Sequence, residues 1–386
     1  MITCANCGAD IPQLPYCIAC GASLTSGDAH QHRRFAASPH ENAVAVRFAS
    51  TMLPRLPKAH MAAFNISLLV GLLIVVVIAA LGYYPVALAA GAFIVPLLLV
   101  VYIYDVDDYE DEPIRVTAYT IVWGVIAGAL FGFLLRAMFP SVSLLTGESL
   151  LTGVLKTGVL PLIGGALALA GPLVLLPYRK FNDVLDGATF GATAGATFAG
   201  AQVIVQSLDL FSAGLHPGGD AGSWVIRILL HSVLVPIILG CAVGAVAGAF
   251  WLRYRAPVPD RTKLGAAGRP VVALLMAALL LLSSSVGLNL LRDIPSLIVE
   301  SVLAAVALIW LRLVIHLGLL EEIVEVAEGP PVTCANCGRE TPHGSFCGEC
   351  GVALRALPKR AGGATSPPPP VSPPPAEPPA APDATT

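Results

Sequence analysis

Between residues 62 and 317 the chain is a nearly continuous series of apolar segments, each close to the 20 residues a helix needs to cross bilayer hydrocarbon. They run from about 62 to 82, 85 to 104, 116 to 138, 151 to 177, 187 to 209, 224 to 251, 271 to 291 and 294 to 317. In lipid every backbone polar group must be satisfied internally, so such a chain can only fold as a helix bundle. With 56% hydrophobic and 12% charged residues, the composition excludes an ordinary soluble domain. The expected fold class is an all-α polytopic membrane helix bundle of about eight transmembrane helices, with a small Cys4 zinc ribbon at each terminus. The fifth span is the weakest, because Ala, Thr and Gly lower its hydropathy; it also reads as a buried or re-entrant helix.

Two copies of one cysteine module bracket this region. Cys4-x2-Cys7 and Cys17-x2-Cys20 lie in residues 3–24, and Cys334-x2-Cys337 and Cys347-x2-Cys350 repeat them 330 positions later. The match extends to Thr3–Gly8 against Thr333–Gly338, and to Pro12/Pro342, Gly21/Gly351 and Leu24/Leu354. Each copy offers four thiolates in two pairs, the donor set of a closed tetrahedral zinc site, and each pair is followed by a glycine that lets the backbone turn under the metal. Two structural zinc ions are therefore expected. A module of about 22 residues buries almost no core, so the metal supplies most of its folding free energy. The closed shell leaves no catalytic position, and the sparse basic residues argue against nucleic acid, so the ribbons are expected to bind unknown protein partners. Self-association is a further expected contact.

Reduced thiolate sites belong in the cytosol, and no apolar stretch precedes Cys4 to serve as a signal peptide. An even span count puts both termini on one side. Arg33, Arg34, Arg47, Arg55 and Lys58 precede the first span, Arg179 and Lys180 follow the fourth, and Arg253, Arg255, Arg261, Lys263 and Arg269 follow the sixth. The positive-inside rule then gives a multi-pass protein of the cell membrane with both ends cytosolic. The expected divisions are a ribbon over 1–24, a polar linker over 25–60, the membrane domain over 61–317, a linker over 318–332, a second ribbon over 333–355 and a disordered Pro-rich tail over 356–386. Within the membrane domain, three spans carry glycine at every fourth position: Gly124/Gly128/Gly132, Gly187/Gly191/Gly195 and Gly240/Gly244/Gly248. Small residues in that register let helix backbones approach closely.

Ionisable groups in a span are costly and mark functional candidates. Lys156, Gln202, His231 and Glu300 all fall roughly 7 to 11 Å below the non-cytosolic surface, counting about 1.5 Å per residue. Asn289 adds a neutral polar group on the seventh span. These five residues are the candidate site, read either as a polar cluster tying helices together or as a substrate pocket. Arg312 and His316 lie in the last turns of the eighth span and are expected to snorkel to the cytosolic interface.

Two stretches carry a family resemblance. Tyr104-Asp105 through Asp108-Tyr109-Glu110-Asp111-Glu112-Pro113 and Phe181-Asn182-Asp183-Val184-Leu185-Asp186-Gly187-Ala188-Thr189-Phe190-Gly191 resemble motifs of the PrsW family, regarded as glutamic-type intramembrane proteases related to the CAAX-processing and Abi proteins. The resemblance covers roughly residues 62–317. It implies an active site whose Glu-Glu-x-x-Lys motif aligns with Thr152-Gly153-Val154-Leu155-Lys156, so the lysine remains and both glutamates are gone. The family's Phe-x-x-x-Glu aligns with Phe198-Ala199-Gly200-Ala201-Gln202, its next histidine with His231, and a late His-x-x-x-Asn with Ser285-Val286-Gly287-Leu288-Asn289. A carboxylate can take a proton from water, whereas Gln202, Thr152 and Gly153 cannot. The resemblance thus implies a catalytically inactive pseudoprotease. Two alternatives stand beside it: an active peptidase using His231 with Glu300 as relocated acid, and a small-solute transporter.

Overall fold

The computed structural model describes residues 2–24, 61–106, 114–139, 150–178, 181–255, 264–326 and 330–354, apart from 5–9, 20, 22, 182, 213, 217, 219, 335, 345 and 352–353. The linker expected over 25–60, the acidic stretch 107–113 and the tail expected over 356–386 lie outside the described residues. The described chain is overwhelmingly helical. Its main helices are α1 (Met61–Ala80), α2 (Tyr84–Val106), α3 (Ile114–Met138), α4 (Leu151–Leu175), α5 (Val184–Gln206), α6 (Ala221–Tyr254), α7 (Pro270–Leu290) and α8 (Asp293–Val326). Seven of them, α2 to α8, are long and apolar enough to cross a membrane. The apolar part of α1 among the described residues, Ile66–Ala80, is shorter.

The fifth span is the centre of the bundle. α5 is 83% buried along its most apolar window, against 28% to 44% for α2, α3, α4, α7 and α8. Its main neighbours are α3 and α6, with α2, α4 and α8 completing the surround. The glycine ladders account for this arrangement. Gly128 of α3 lies so close to α5 that a Cβ there would fall 2.8 Å from the Cα of Phe198, and a Cβ on Gly191 would meet the carbonyl of Val243 on α6 at 2.7 Å. A Cβ on Gly244, across the same seam, would meet the carbonyl of Ala188 at 2.9 Å. The Ala-Thr-Gly composition that weakens the hydropathy of α5 is therefore the composition of a helix shielded from lipid by other helices. Asp183 caps its N-terminus, and its N–H donates to the Asp186 carboxylate at 3.3 Å, which gives this acidic pair of the family-like segment a local structural task.

Two helices contain a wide turn. Leu155–Val159 in α4 and Ile228–Leu234 in α6 are π-helical, with the Leu160 N–H donating to the Leu155 carbonyl and the Val235 N–H to the Leu230 carbonyl, five residues back. Each is followed, after one intervening residue, by a proline, Pro161 or Pro236. Proline lacks the N–H of the ordinary ladder, and its ring collides with the carbonyl four residues back; widening the preceding turn relieves both.

One expectation is corrected. Arg312 and His316 do not reach out to an interface but are buried inside the bundle, 6% and 3% exposed. The segment read as a linker over 318–332 is helical as far as Val326, and no glycine or proline interrupts the sequence from Leu319 until Gly329 and Pro330.

The terminal modules are small two-stranded units. Ile2–Thr3 pairs antiparallel with Asp10–Ile11, and Val332–Thr333 with Glu340–Thr341, in the same register after the offset of 330.

A polar cavity in the bundle and a cysteine cluster outside it

A cavity of about 630 Å³ opens among α3, α4, α5, α6 and α7. Lys156, Gln202, His231 and Asn289 all line it, four candidate residues from four helices. Its walls come from the C-terminal turns of α3, α5 and α7, from the first half of α4 and from the middle of α6. The two π-turns place two of its basic groups: Lys156 is the second residue of one, and His231 is the middle residue of the other. A π-turn swings a side chain off the regular helical spacing, and such turns recur at functional sites. Hydropathy spacing carries no mark of them, but Pro161 and Pro236 do.

Polar contacts organise the wall. Lys156 Nζ lies 5.5 Å from the centroid of the Phe139 ring. Its backbone carbonyl accepts from Ser285 Oγ at 3.5 Å, and Asn289 Nδ2 donates to the Ser285 carbonyl at 2.7 Å. Arg136 is paired with Asp209 and donates to the Val205 carbonyl at 3.4 Å. Phe131, Phe198 and Leu281 give the cavity an apolar floor beneath this polar upper rim.

Glu300 differs from the other candidates. It is fully buried and does not line the cavity. Its Oε2 accepts from Ser284 Oγ at 2.7 Å, while its Oε1 has no hydrogen-bond partner among the described residues and lies against Gly287, where a Cβ would stand 2.7 Å away. Ser284 does line the cavity, so one hydroxyl separates the carboxyl from the open space. Ser284, Arg136 and Asp209 join the site although the sequence does not single them out, and Ser285, which stands at the histidine position of the family's late motif, joins it as well. The spacing of Ser284, Ser285, Leu288 and Asn289 on a single helical face was the available signal.

In the C-terminal module Cys334, Cys337, Cys347 and Cys350 bring their sulfurs within 4.8 Å of one another, so this group can hold a metal ion. Cys334 and Cys350 lie 3.7 Å apart, sulfur to sulfur, and Cys337 and Cys347 3.8 Å. A disulfide is far shorter, at about 2.05 Å. A tetrahedron with metal–sulfur bonds of about 2.3 Å has edges of roughly 3.8 Å, which the separations fit. Both knuckles close in the same way, with the Gly338 and Gly351 N–H groups each donating to the carbonyl of a cysteine four residues back at 2.8 Å. These glycines sit at φ +72°, a left-handed conformation that other residues rarely adopt. Burial pushes the Cys347 thiol up to about 12, so a bound cation is what would hold it as the thiolate a metal ligand must be. In the N-terminal module Cys4 and Cys17 are buried and the Gly21 N–H donates to the Cys17 carbonyl at 2.8 Å, whereas Cys7 and Cys20 lie outside the described residues.

No protein-family model, no curated protein and no solved structure matches this chain, so the reading of its sites rests on their own chemistry.

Proposed function

We propose that this chain is an eight-span protein of the cell membrane with both termini cytosolic, whose PrsW-like bundle binds a membrane partner or peptide in its cavity without cleaving it. The terminal modules are zinc-stabilised ribbons that make protein contacts. One observation carries the non-catalytic reading. Among the described lining residues the sole carboxylate, Asp209, is engaged by Arg136, and the remaining polar groups are amides, hydroxyls, Lys156 and His231. Hydrolysis of a peptide needs a group that can take a proton from water and return it to the leaving amine; His231 alone of these could do so, and no unengaged carboxylate stands beside it among the described lining residues to complete an acid–base pair. An amide such as Gln202 donates and accepts hydrogen bonds but does not shuttle protons, so it suits holding a peptide backbone rather than cutting it. The volume falls within the range of roughly 300–1,000 Å³ typical of small-ligand sites.

The hydrogen bond between Ser284 and Glu300 favours a second reading, an active peptidase in which Glu300 replaces the missing acids. Comparing the membrane proteome of cells carrying the wild type, a deletion or His231→Ala separates the two. Identical cleavage fragments in all three support the binding reading. A fragment that disappears with His231→Ala and with Glu300→Gln overturns it.

A further inference from the structure

The two cysteine modules touch each other, and they do so with approximate two-fold symmetry. The Tyr16 N–H donates to the Gly348 carbonyl at 2.9 Å, and the Phe346 N–H donates to the Ile18 carbonyl at 3.0 Å. Subtracting the repeat offset of 330 turns Phe346 into position 16 and Gly348 into position 18, so the second bond is the first one seen from the other module. The ring contacts follow the same rule. Gly21 faces the Phe346 ring, with a Cβ there at 2.8 Å, and Gly351 faces the Tyr16 ring, with a Cβ there at 2.7 Å. Each residue of one patch meets its counterpart on the other, as at an isologous dimer interface.

The copies differ where the patch is tightest. The N-terminal module carries Leu14 and Ile18; the C-terminal module carries glycine at the equivalent positions, Gly344 and Gly348. A Cβ on Gly348 would lie 2.5 Å from Leu14 Cδ1, and one on Gly344 would lie 2.8 Å from the Ile18 carbonyl oxygen. Two large residues on one partner thus occupy the space left by two glycines on the other. Two N-terminal modules would set Leu14 against Ile18 twice and collide, and two C-terminal modules would leave holes; both like pairings are penalised.

We infer that the two modules are built to pair with each other, N-terminal with C-terminal, and that this pair clasps the two ends of a single chain. The face containing Tyr16 and Phe346 is then taken up within the molecule, and outside proteins must use another face or open the clasp.

The test uses the full-length protein with a protease site inserted in residues 25–60 and an affinity tag at the C-terminus. After cleavage the N-terminal module should stay with the immobilised remainder. Gly348→Leu should raise its release at least tenfold with bound metal per chain unchanged, and Leu14→Gly combined with Gly348→Leu should restore retention by exchanging the large and small partners. That rescue distinguishes a blocked interface from a misfolded module. Equal release from wild type and Gly348→Leu, in either direction, overturns the pairing. A photo-crosslinking residue at Tyr16 should join the two modules within one chain; a product of two chains would overturn the intrachain clasp in favour of exchange between copies.

Discussion

The seam between α5 and its neighbours and the cavity at its far end are built on the same helix by opposite means. Over its first four turns α5 presents Gly187, Gly191 and Gly195 to α6 and receives Gly124 and Gly128 from α3, so that backbone touches backbone. Over its last two turns it presents Gln202 and Gln206, longer side chains that stand at the edge of open space. Without a hydrophobic force between helices in lipid, contact comes from close van der Waals fit, which small residues allow and long polar ones prevent. The difference teaches that the cavity is not a packing failure. It begins where the ladder of α5 itself, Gly187 to Gly195, gives way to Gln202 and Gln206.

The sharpest way to break that contrast is Gly128→Val. The obstacle to the new side chain is the Phe198 backbone, which cannot rotate aside, so the cost should reach or exceed the upper end of the about 1–3 kcal/mol typical of overpacking. Loss of a monodisperse species in detergent would register it; a variant as heat-stable as wild type would show that the seam is looser than described. A smaller effect is expected from Ser284→Ala, which removes the hydrogen bond that the described residues give the buried Glu300 carboxyl, at a cost of about 1–3 kcal/mol. Thermal unfolding should show a clear drop, restored by Ser284→Thr, and no drop would mean that Glu300 finds another donor. Gln202→Ala should change stability least, within about 0.5 kcal/mol, because its side chain borders space rather than fills it. Destabilisation comparable to Gly128→Val would make the amides part of the packing and erase the distinction between the two regions.

Much of this was readable in advance, for identifiable reasons. Span positions follow from hydropathy because lipid punishes polar backbone, and the glycine ladders follow from a spacing of four. The shared depth of Lys156, Gln202 and His231 came from counting along straight helices, and it placed them well enough to meet at one cavity. Counting along straight helices gives depth but not azimuth. Glu300 shares the level and faces Gly287 instead of the cavity, a rotation about its axis that the count does not contain. The burial of Arg312 and His316 has the same ground, since a place near the end of a span does not say which way a side chain turns. The pairing of the modules was hidden differently. Leu14 and Ile18 against Gly344 and Gly348 look like ordinary divergence between repeats until the two are seen face to face.

The low hydropathy of α5 also bears on how the protein is made. At a mean hydropathy of 1.2 on its best window, against 2.0 to 2.4 for α2, α3, α4, α6, α7 and α8, it is the span with the least to gain from partitioning into lipid by itself. Its surfaces are those of a helix that enters the bilayer against companions. α3 precedes it in the chain and α6 follows, so insertion of α5 into a bilayer is expected to be completed only when α6 arrives to cover the Gly187, Gly191 and Gly195 face. A ribosome stalled before α6 would leave this segment as the one most easily withdrawn from the membrane and most exposed to quality-control proteolysis.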